Sequence, residues 1–160
     1  MTSVSGTEAR PFARKDVLGK IWVMNFMFTR CTGPCPMNSA RMEGLQNRLP
    51  KDIRLASFTV DPKNDQAPEL RRYARRFHAR PGRWIFITGP DEESLIPLFK
   101  DSFHTAYRAN AKASCGYETF HSPKMFLIDR RGTIRGEYLS EDPSQLQALE
   151  RDAVILSQGA

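Results

Sequence analysis

The feature of this sequence that most constrains its fold is a regular alternation of short apolar runs with segments of helical periodicity. The apolar runs predict three buried strands, at residues 21–28, 53–60 and 84–88. Helices are predicted at residues 36–49, 67–78, 91–103 and 143–156. A hairpin is predicted at residues 124–129 and 133–139. This order indicates an α/β fold, a central mixed β-sheet flanked by helices.

The chain of 160 residues is long enough to form one domain that buries its own core. Residues 1–18 are expected to be a polar lead-in, a remnant of a linker or of a removed anchor, and residues 19–160 to be the domain. Even the longest apolar run, at residues 21–28, is far too short to span a bilayer.

The net charge of +6 comes mostly from arginine, which is densest at residues 71–83. Leu70, Tyr73, Ala74 and Phe77 lie at helical spacing in this region, so the arginines are predicted to form the outer face of a helix. That face is either simply solvated or a docking surface for an acidic partner or anionic lipid. Nucleic acid is not an expected partner, because no recognised binding motif accompanies the charge.

Two cysteines, Cys31 and Cys35, stand between the first predicted strand and the first long helix, in the segment CTGPC. A dinucleotide-binding protein would carry GxGxxG at this position, whereas cysteines here are typical of a thioredoxin-like arrangement. The start of a helix stabilises negative charge and therefore favours thiolate. Thiolate is the reactive species in disulfide exchange and also in metal ligation, so the position alone leaves both chemistries open.

A third group is predicted to be His121, which directly precedes the predicted strand at 124–129. In this order of elements, the loop before that strand should pass over the start of the first long helix. Two thiolates and one imidazole form a soft donor set that favours copper, above all Cu(I). Zinc is disfavoured because a structural zinc site needs about four protein ligands. Cys115 is either an inert loop thiol or an auxiliary thiol beside the site.

The chain resembles the Sco/SenC family of copper-binding thioredoxin-like proteins over about residues 19–156. Four segments carry the resemblance: GKIWVMNFMFTRCTGPCP, SFTVDPKNDQAPEL, RWIFITGP and FHSPKMFLIDRRGTI. The resemblance implies a thioredoxin-like fold and a copper ion, as Cu(I) or Cu(II), held by Cys31, Cys35 and His121.

The same resemblance implies a copper metallochaperone rather than an enzyme. Its acceptor would be the CuA centre of cytochrome c oxidase subunit II, or another cuproprotein. The expected location is the periplasmic face of the bacterial inner membrane, or the mitochondrial intermembrane space, with a membrane tether that this sequence lacks. A monomer is expected. The alternative is a thiol-disulfide oxidoreductase that reduces partner cysteines through Cys31 and Cys35.

Three further residues are expected to support the site. Asp61 and Asp65 follow the second predicted strand and could orient the cysteine loop. They match the family pattern DPxxDTP, although Gln66 replaces its threonine. Pro123 stands where thioredoxin-like oxidoreductases place a cis-proline, which favours the thiol-exchange alternative.

Overall fold

The computed structural model describes residues 1–91, 93–95 and 124–159. The strands in this part of the chain are β1 (Thr2–Ser5), β2 (Glu8–Pro11), β3 (Ile21–Met27), β4 (Ile53–Thr59), β5 (Trp84–Thr88), β6 (Lys124–Ile128) and β7 (Ile134–Leu139). The helices are α1 (Arg14–Val17), α2 (Pro34–Arg48), α3 (Ala67–Arg76) and α4 (Pro143–Gln158), and Glu93–Leu95 is a 3₁₀ turn.

The described strands form one mixed sheet in the order β2-β1-β5-β4-β3-β6-β7. Strands β3, β4 and β5 run parallel, whereas β6 is antiparallel to β3 and to β7. Every residue of β3 and β5 is buried, as expected for strands covered on both faces. The α/β prediction of a central mixed sheet flanked by helices is confirmed. The predicted helix at 91–103 and the segment 108–120 lie mostly or wholly outside the described residues.

The first eleven residues form a hairpin that belongs to the sheet, and the sequence did not predict this regular structure. Strand β1 pairs with β5, placing Val4 opposite Phe86, and the Val4 side chain is fully buried. Gly6 begins the two-residue turn with a φ of +58°, which suits glycine at the first position of a type II′ turn. Both strands have only four residues, and β2 is exposed throughout, so neither produces a strong hydrophobic pattern.

The parallel strands bring their carboxyl ends to one edge of the sheet, which we call the carboxyl edge. Strands β3 and β4 end there, and β6 begins there because it runs antiparallel to β3, with Met125 opposite Asn25. Helix α2 also starts at this edge, since it follows β3 after a short connection. The carboxyl edge is therefore where the chain segments carrying Cys31, Cys35, Asp61 and Asp65 meet.

Helices α2 and α3 pack side by side on the sheet. The Ser39 hydroxyl of α2 lies 2.9 Å from the Tyr73 hydroxyl of α3, and the Tyr73 ring meets Phe86 of β5 edge to face. Helix α3 buries Leu70, Tyr73 and Ala74, while Arg72, Arg75 and Arg76 are exposed, as its periodicity predicted. In the described part of the chain, no helix has the length and apolar character needed to cross a membrane.

Candidate metal centre

The two cysteines lie at the start of α2. Cys31 is in the connection from β3, where its N–H donates to the carbonyl of Phe28 (3.3 Å), and Cys35 is the second residue of the helix. Both side chains are buried, at 6% exposure, whereas Thr32 and Gly33 between them are exposed. A Cβ atom added to Gly33 would lie 4.0 Å from the Cys31 sulfur, so that sulfur is held close to the first turn of the helix.

The start of α2 is suited to negatively charged sulfur. Gly33 occupies the N-cap position and has no side chain that could accept from the first amides of the helix. The first four N–H groups of a helix have no partner within it, and together with the helix dipole they stabilise an anion. The local geometry thus favours thiolate, the species required for both metal binding and disulfide exchange.

Asp65 anchors the strand end that leads to Cys31. Its carboxylate accepts hydrogen bonds from the N–H of Thr29 (3.0 Å) and from the hydroxyls of Thr29 and Thr59. Asp65 is fully buried, and this burial raises its pKa above the ordinary value of 3.8, although the three hydrogen bonds act in the opposite direction. The side chain therefore fixes the backbone two residues before the first cysteine.

Asp61 anchors the next residue of the same loop. It is fully buried and accepts from the guanidinium of Arg30 at 2.8 Å and from the side-chain amide of Asn64 at 2.8 and 3.0 Å. Its own N–H donates to the Thr59 hydroxyl at 3.0 Å. The structure thus brings both predicted supporting aspartates into contact with the two residues that precede Cys31.

A residue that the sequence analysis treated only as core, Tyr73, also belongs to this region. Its hydroxyl meets Ser39, which stands one helical turn after Cys35 in α2. Burial is the main reason that the pKa of Tyr73 is raised, and the nearby sulfurs of Cys35 and Cys31 raise it further. A buried tyrosine needs a partner for its hydroxyl, and this requirement is the only signal that could have singled it out.

The predicted third donor, His121, lies outside the described residues, as do Pro123 and Cys115. The chain nevertheless re-enters the described part at Lys124, the first residue of β6, at the carboxyl edge. Lys124 is the third residue after His121, so the Cα atoms of the two residues can lie at most about 10 Å apart. Within the described residues, no group of three or more His, Cys, Asp or Glu is placed to hold a metal ion. His78 contacts Glu43 at 2.9 Å instead and is exposed.

The arrangement defines a thioredoxin-like protein in which two buried cysteines lie at the start of α2, the first long helix after a central strand. Two sulfur donors buried in the hydrophobic core suit a soft ion such as Cu(I). The sequence model of the SCO1/SenC family matches residues 3–153, and the chain belongs to this family.

Individual relatives agree with this assignment. The chain is 28% identical over 127 residues to the SCO1 protein homolog of Bacillus subtilis, covering 78% of this chain and 64% of that protein. It therefore spans about two thirds of that relative's length. A SCO1/SenC family lipoprotein from Bacillus anthracis has a similar structure, with a TM-score of 0.85, 28% identity, and coverage of 98% of this chain and 92% of that one.

A more distant structure shares the fold alone. ScoI of Arabidopsis thaliana, solved with copper bound, gives a TM-score of 0.76 at 19% identity and covers 100% of this chain and 97% of that one. Together these likenesses confirm the predicted family and its thioredoxin-like fold.

Proposed function

We propose that this chain is a copper metallochaperone that binds one copper ion and delivers it to the CuA centre of cytochrome c oxidase subunit II. The proposed ligands are Cys31, Cys35 and His121. The observation that carries the proposal is that both cysteines are buried at the start of α2, at the carboxyl edge where β6 begins three residues after His121. Membership of the SCO1/SenC family and the copper-bound Arabidopsis relative support it.

The described residues would prepare the site before copper arrives. Asp65 and Asp61 hold Thr29 and Arg30, so the position of Cys31 does not depend on the metal. Copper binding would displace the thiol protons, a step that the start of α2 favours. The exposed residues between the cysteines leave an open side from which an acceptor's ligands could approach the ion and exchange with the two sulfurs.

Copper binding and thiol redox chemistry would be linked in this site. Oxidation of Cys31 and Cys35 to a disulfide removes two thiolate ligands and would release the ion. Disulfide exchange with a partner needs only these two cysteines, whereas copper binding also needs the histidine. His121 therefore separates the metallochaperone from the alternative oxidoreductase.

The proposed place of work is the periplasmic face of the bacterial inner membrane, or the mitochondrial intermembrane space. The Bacillus anthracis relative is a lipoprotein, which supports attachment of this protein to a membrane. The domain is proposed to act as a monomer that meets its acceptor transiently.

The function is tested by a Cu(I) titration of the reduced protein against a competing chelator, comparing wild type with His121→Asn. We expect the variant's copper affinity to fall by more than the roughly 10–100-fold that loss of an outer-sphere partner costs. His78→Asn is the matched control, because asparagine tolerates the positive φ of 50° at that position. The control should bind copper like wild type.

A disulfide reduction assay on insulin completes the test. In both histidine variants the Cys31–Cys35 dithiol should still reduce insulin and become a disulfide, which added dithiothreitol reduces again, because neither sulfur is altered. Equal copper affinity in His121→Asn and wild type would remove His121 from the site. Strong insulin reduction by a wild type that binds copper only weakly would favour the oxidoreductase.

A further inference from the structure

A small cavity lies between the cysteine loop and the exposed face of α3. It has a volume of about 250 Å³ and is lined by Thr29, Glu69, Arg72, Tyr73 and Arg76. Binding sites for whole cofactors or drug-sized molecules usually measure about 300–1,000 Å³, so this cavity is better matched to a single side chain. We call it the arginine cavity.

The arginine cavity is joined to the cysteine site on two sides. Thr29 stands two residues before Cys31 and is held by Asp65 through its N–H and hydroxyl. Tyr73 forms the other connection, because its hydroxyl contacts Ser39, one turn after Cys35. A group bound in the cavity would therefore lie next to the loop that carries Cys31 and the helical turn that follows Cys35.

The described residues that line the cavity carry one more positive than negative side chain, namely Arg72 and Arg76 against Glu69. Arg72 donates to Glu69 at 2.8 Å, so these two side chains largely neutralise each other. Arg76 has no carboxylate partner among the described residues, and its guanidinium stacks on the Phe77 ring at 5.5 Å from the ring centre. A guanidinium in this state keeps its outward N–H groups available for a carboxylate, which it can bind in a bidentate manner.

We propose that the arginine cavity is a docking site for an acidic side chain of the acceptor protein. The occupant is a carboxylate on a protein surface, bound by Arg76 and Arg72 while the neighbouring cysteines face the acceptor's own ligands. Complementary charge of this kind raises association rates and selects partners more than it raises affinity. The identity of the occupant as a copper acceptor rests on the proposed function, but the preference for negative charge does not.

The first test measures the cavity's charge without copper or an acceptor. Reduced Cys115→Ser protein, in which only Cys31 and Cys35 can react, is mixed with the dianionic disulfide dithiobis(nitrobenzoate) or with neutral dithiodipyridine. For each protein, the rate of reaction with the anionic disulfide is divided by the rate with the neutral disulfide. We expect Arg76→Gln to lower this ratio about three- to tenfold at low salt, and we expect the effect to fade as salt is added. Arg72→Gln should act in the same direction, because it leaves the Glu69 carboxylate uncompensated.

The matched control is Arg131→Gln, which makes the same change in net charge. Arg131 is exposed in the turn after β6, at the end of the sheet opposite the carboxyl edge. Its rate ratio should stay at the wild-type value. Equal losses in Arg76→Gln and Arg131→Gln, or no loss in either, would overturn the proposal, because the effect would then belong to the whole molecule and not to the cavity.

The second test uses the copper-free, soluble CuA-bearing domain of oxidase subunit II as the probe. Its association rate with the copper-loaded wild type should fall with added salt, and Arg76→Gln should slow it at low salt by a similar three- to tenfold. A rate that is the same in Arg76→Gln would overturn docking in this cavity. A wild-type protein that binds no copper but still reacts preferentially with the anionic disulfide would contradict the proposed function and leave the docking site standing.

Discussion

At the residue scale, Asp65 shows how a buried carboxyl group can organise a loop. Its donors come from two places in the chain, Thr29 before the cysteines and Thr59 at the end of β4. Burial disfavours the charged form and raises its pKa, while the hydrogen bonds only partly compensate. The side chain therefore supplies geometry to the cysteine loop, and its ionisation reduces the stability of the folded protein.

The prediction for Asp65 concerns stability against pH. A pKa raised above 3.8 means that the folded state binds the proton more tightly than the unfolded chain. The stabilisation that Asp65 gives to the folded state is thus fully present below a pH of about 3.8, and it declines as the pH rises through the raised pKa. The free energy of unfolding of wild type relative to Asp65→Asn should accordingly decrease from about pH 4 upward and then level off.

Urea denaturation of both proteins at several pH values measures this difference. A difference that grows with pH would show that the hydrogen bonds outweigh desolvation at this site.

Asp65→Ala, which leaves the Thr29 N–H and the Thr59 hydroxyl without their acceptor, should lower the free energy of unfolding by about 1–3 kcal/mol.

At the scale of elements, the two ends of α2 differ in how their unpaired backbone groups find hydrogen-bond partners. Its start has no side-chain cap, which leaves the first amides available to the cysteine sulfurs. Its end is closed by Arg83, a buried side chain that donates to the carbonyls of Gln46 (3.3 Å), Leu49 (2.7 Å) and Pro50 (2.6 Å). A cation at this end also complements the helix dipole.

Replacing Arg83 should therefore destabilise the fold through the end of α2. Arg83→Met removes three hydrogen bonds from a charged donor and should lower the free energy of unfolding by about 2–3 kcal/mol. Arg83→Lys should recover part of the loss, since one ammonium group cannot reproduce the planar fork of the guanidinium. Arg80→Met is the control, because Arg80 is exposed and, among the residues that the structure describes, its side chain bonds only to Asn47. The effect of Arg80→Met should stay within about 0.5 kcal/mol. Thermal or urea unfolding of the three variants would measure these effects, and equal stability of Arg83→Met and Arg80→Met would contradict this account.

At the scale of the whole molecule, the N-terminal hairpin completes the sheet. Strand β1 covers the side of β5 that β4 does not occupy, and Val4 joins the main core. One more bond, from the Phe12 N–H to the Met1 carbonyl at 2.9 Å, extends the hairpin, and the Phe12 ring packs edge to face on Trp22 of β3. Without the hairpin, β5 would be an open edge able to pair with another chain.

Deletion of residues 1–11 should lower the melting temperature and promote aggregation. The buried Val4 side chain alone accounts for about 1.5–3 kcal/mol, and the hydrogen bonds between β1 and β5 add to this. Val4→Ala in the full chain should show a smaller loss without the aggregation, because the edge of β5 stays paired. Differential scanning calorimetry with light scattering measures both effects, and a truncated protein that melts like wild type would show that the hairpin adds nothing to the fold.

Elements that depend on local sequence patterns were predicted well, whereas an element that depends on long-range contacts was not. The central strands and α2, α3 and α4 were predicted to within one or two residues at their ends, because each gives a strong local signal of apolar periodicity. The hairpin of β1 and β2 was missed because both strands have only four residues and because β1 joins the sheet through β5, more than eighty residues away in the chain. The ligand role of His121 and the effect of Pro123 stay predictions.

The sequence by itself determined the α/β class, the family and the position of Cys31 and Cys35 between a strand and a helix. These features follow from neighbouring residues, whose periodicity and spacing are the same in any register of the sheet. Only the tertiary structure decided that Asp65 holds Thr29, that Arg83 closes α2 and that Tyr73 and the α3 arginines lie beside the cysteine loop. The partners in the first two contacts are more than thirty residues apart in the chain. They meet because strand register and helix packing place them together, which no local pattern encodes.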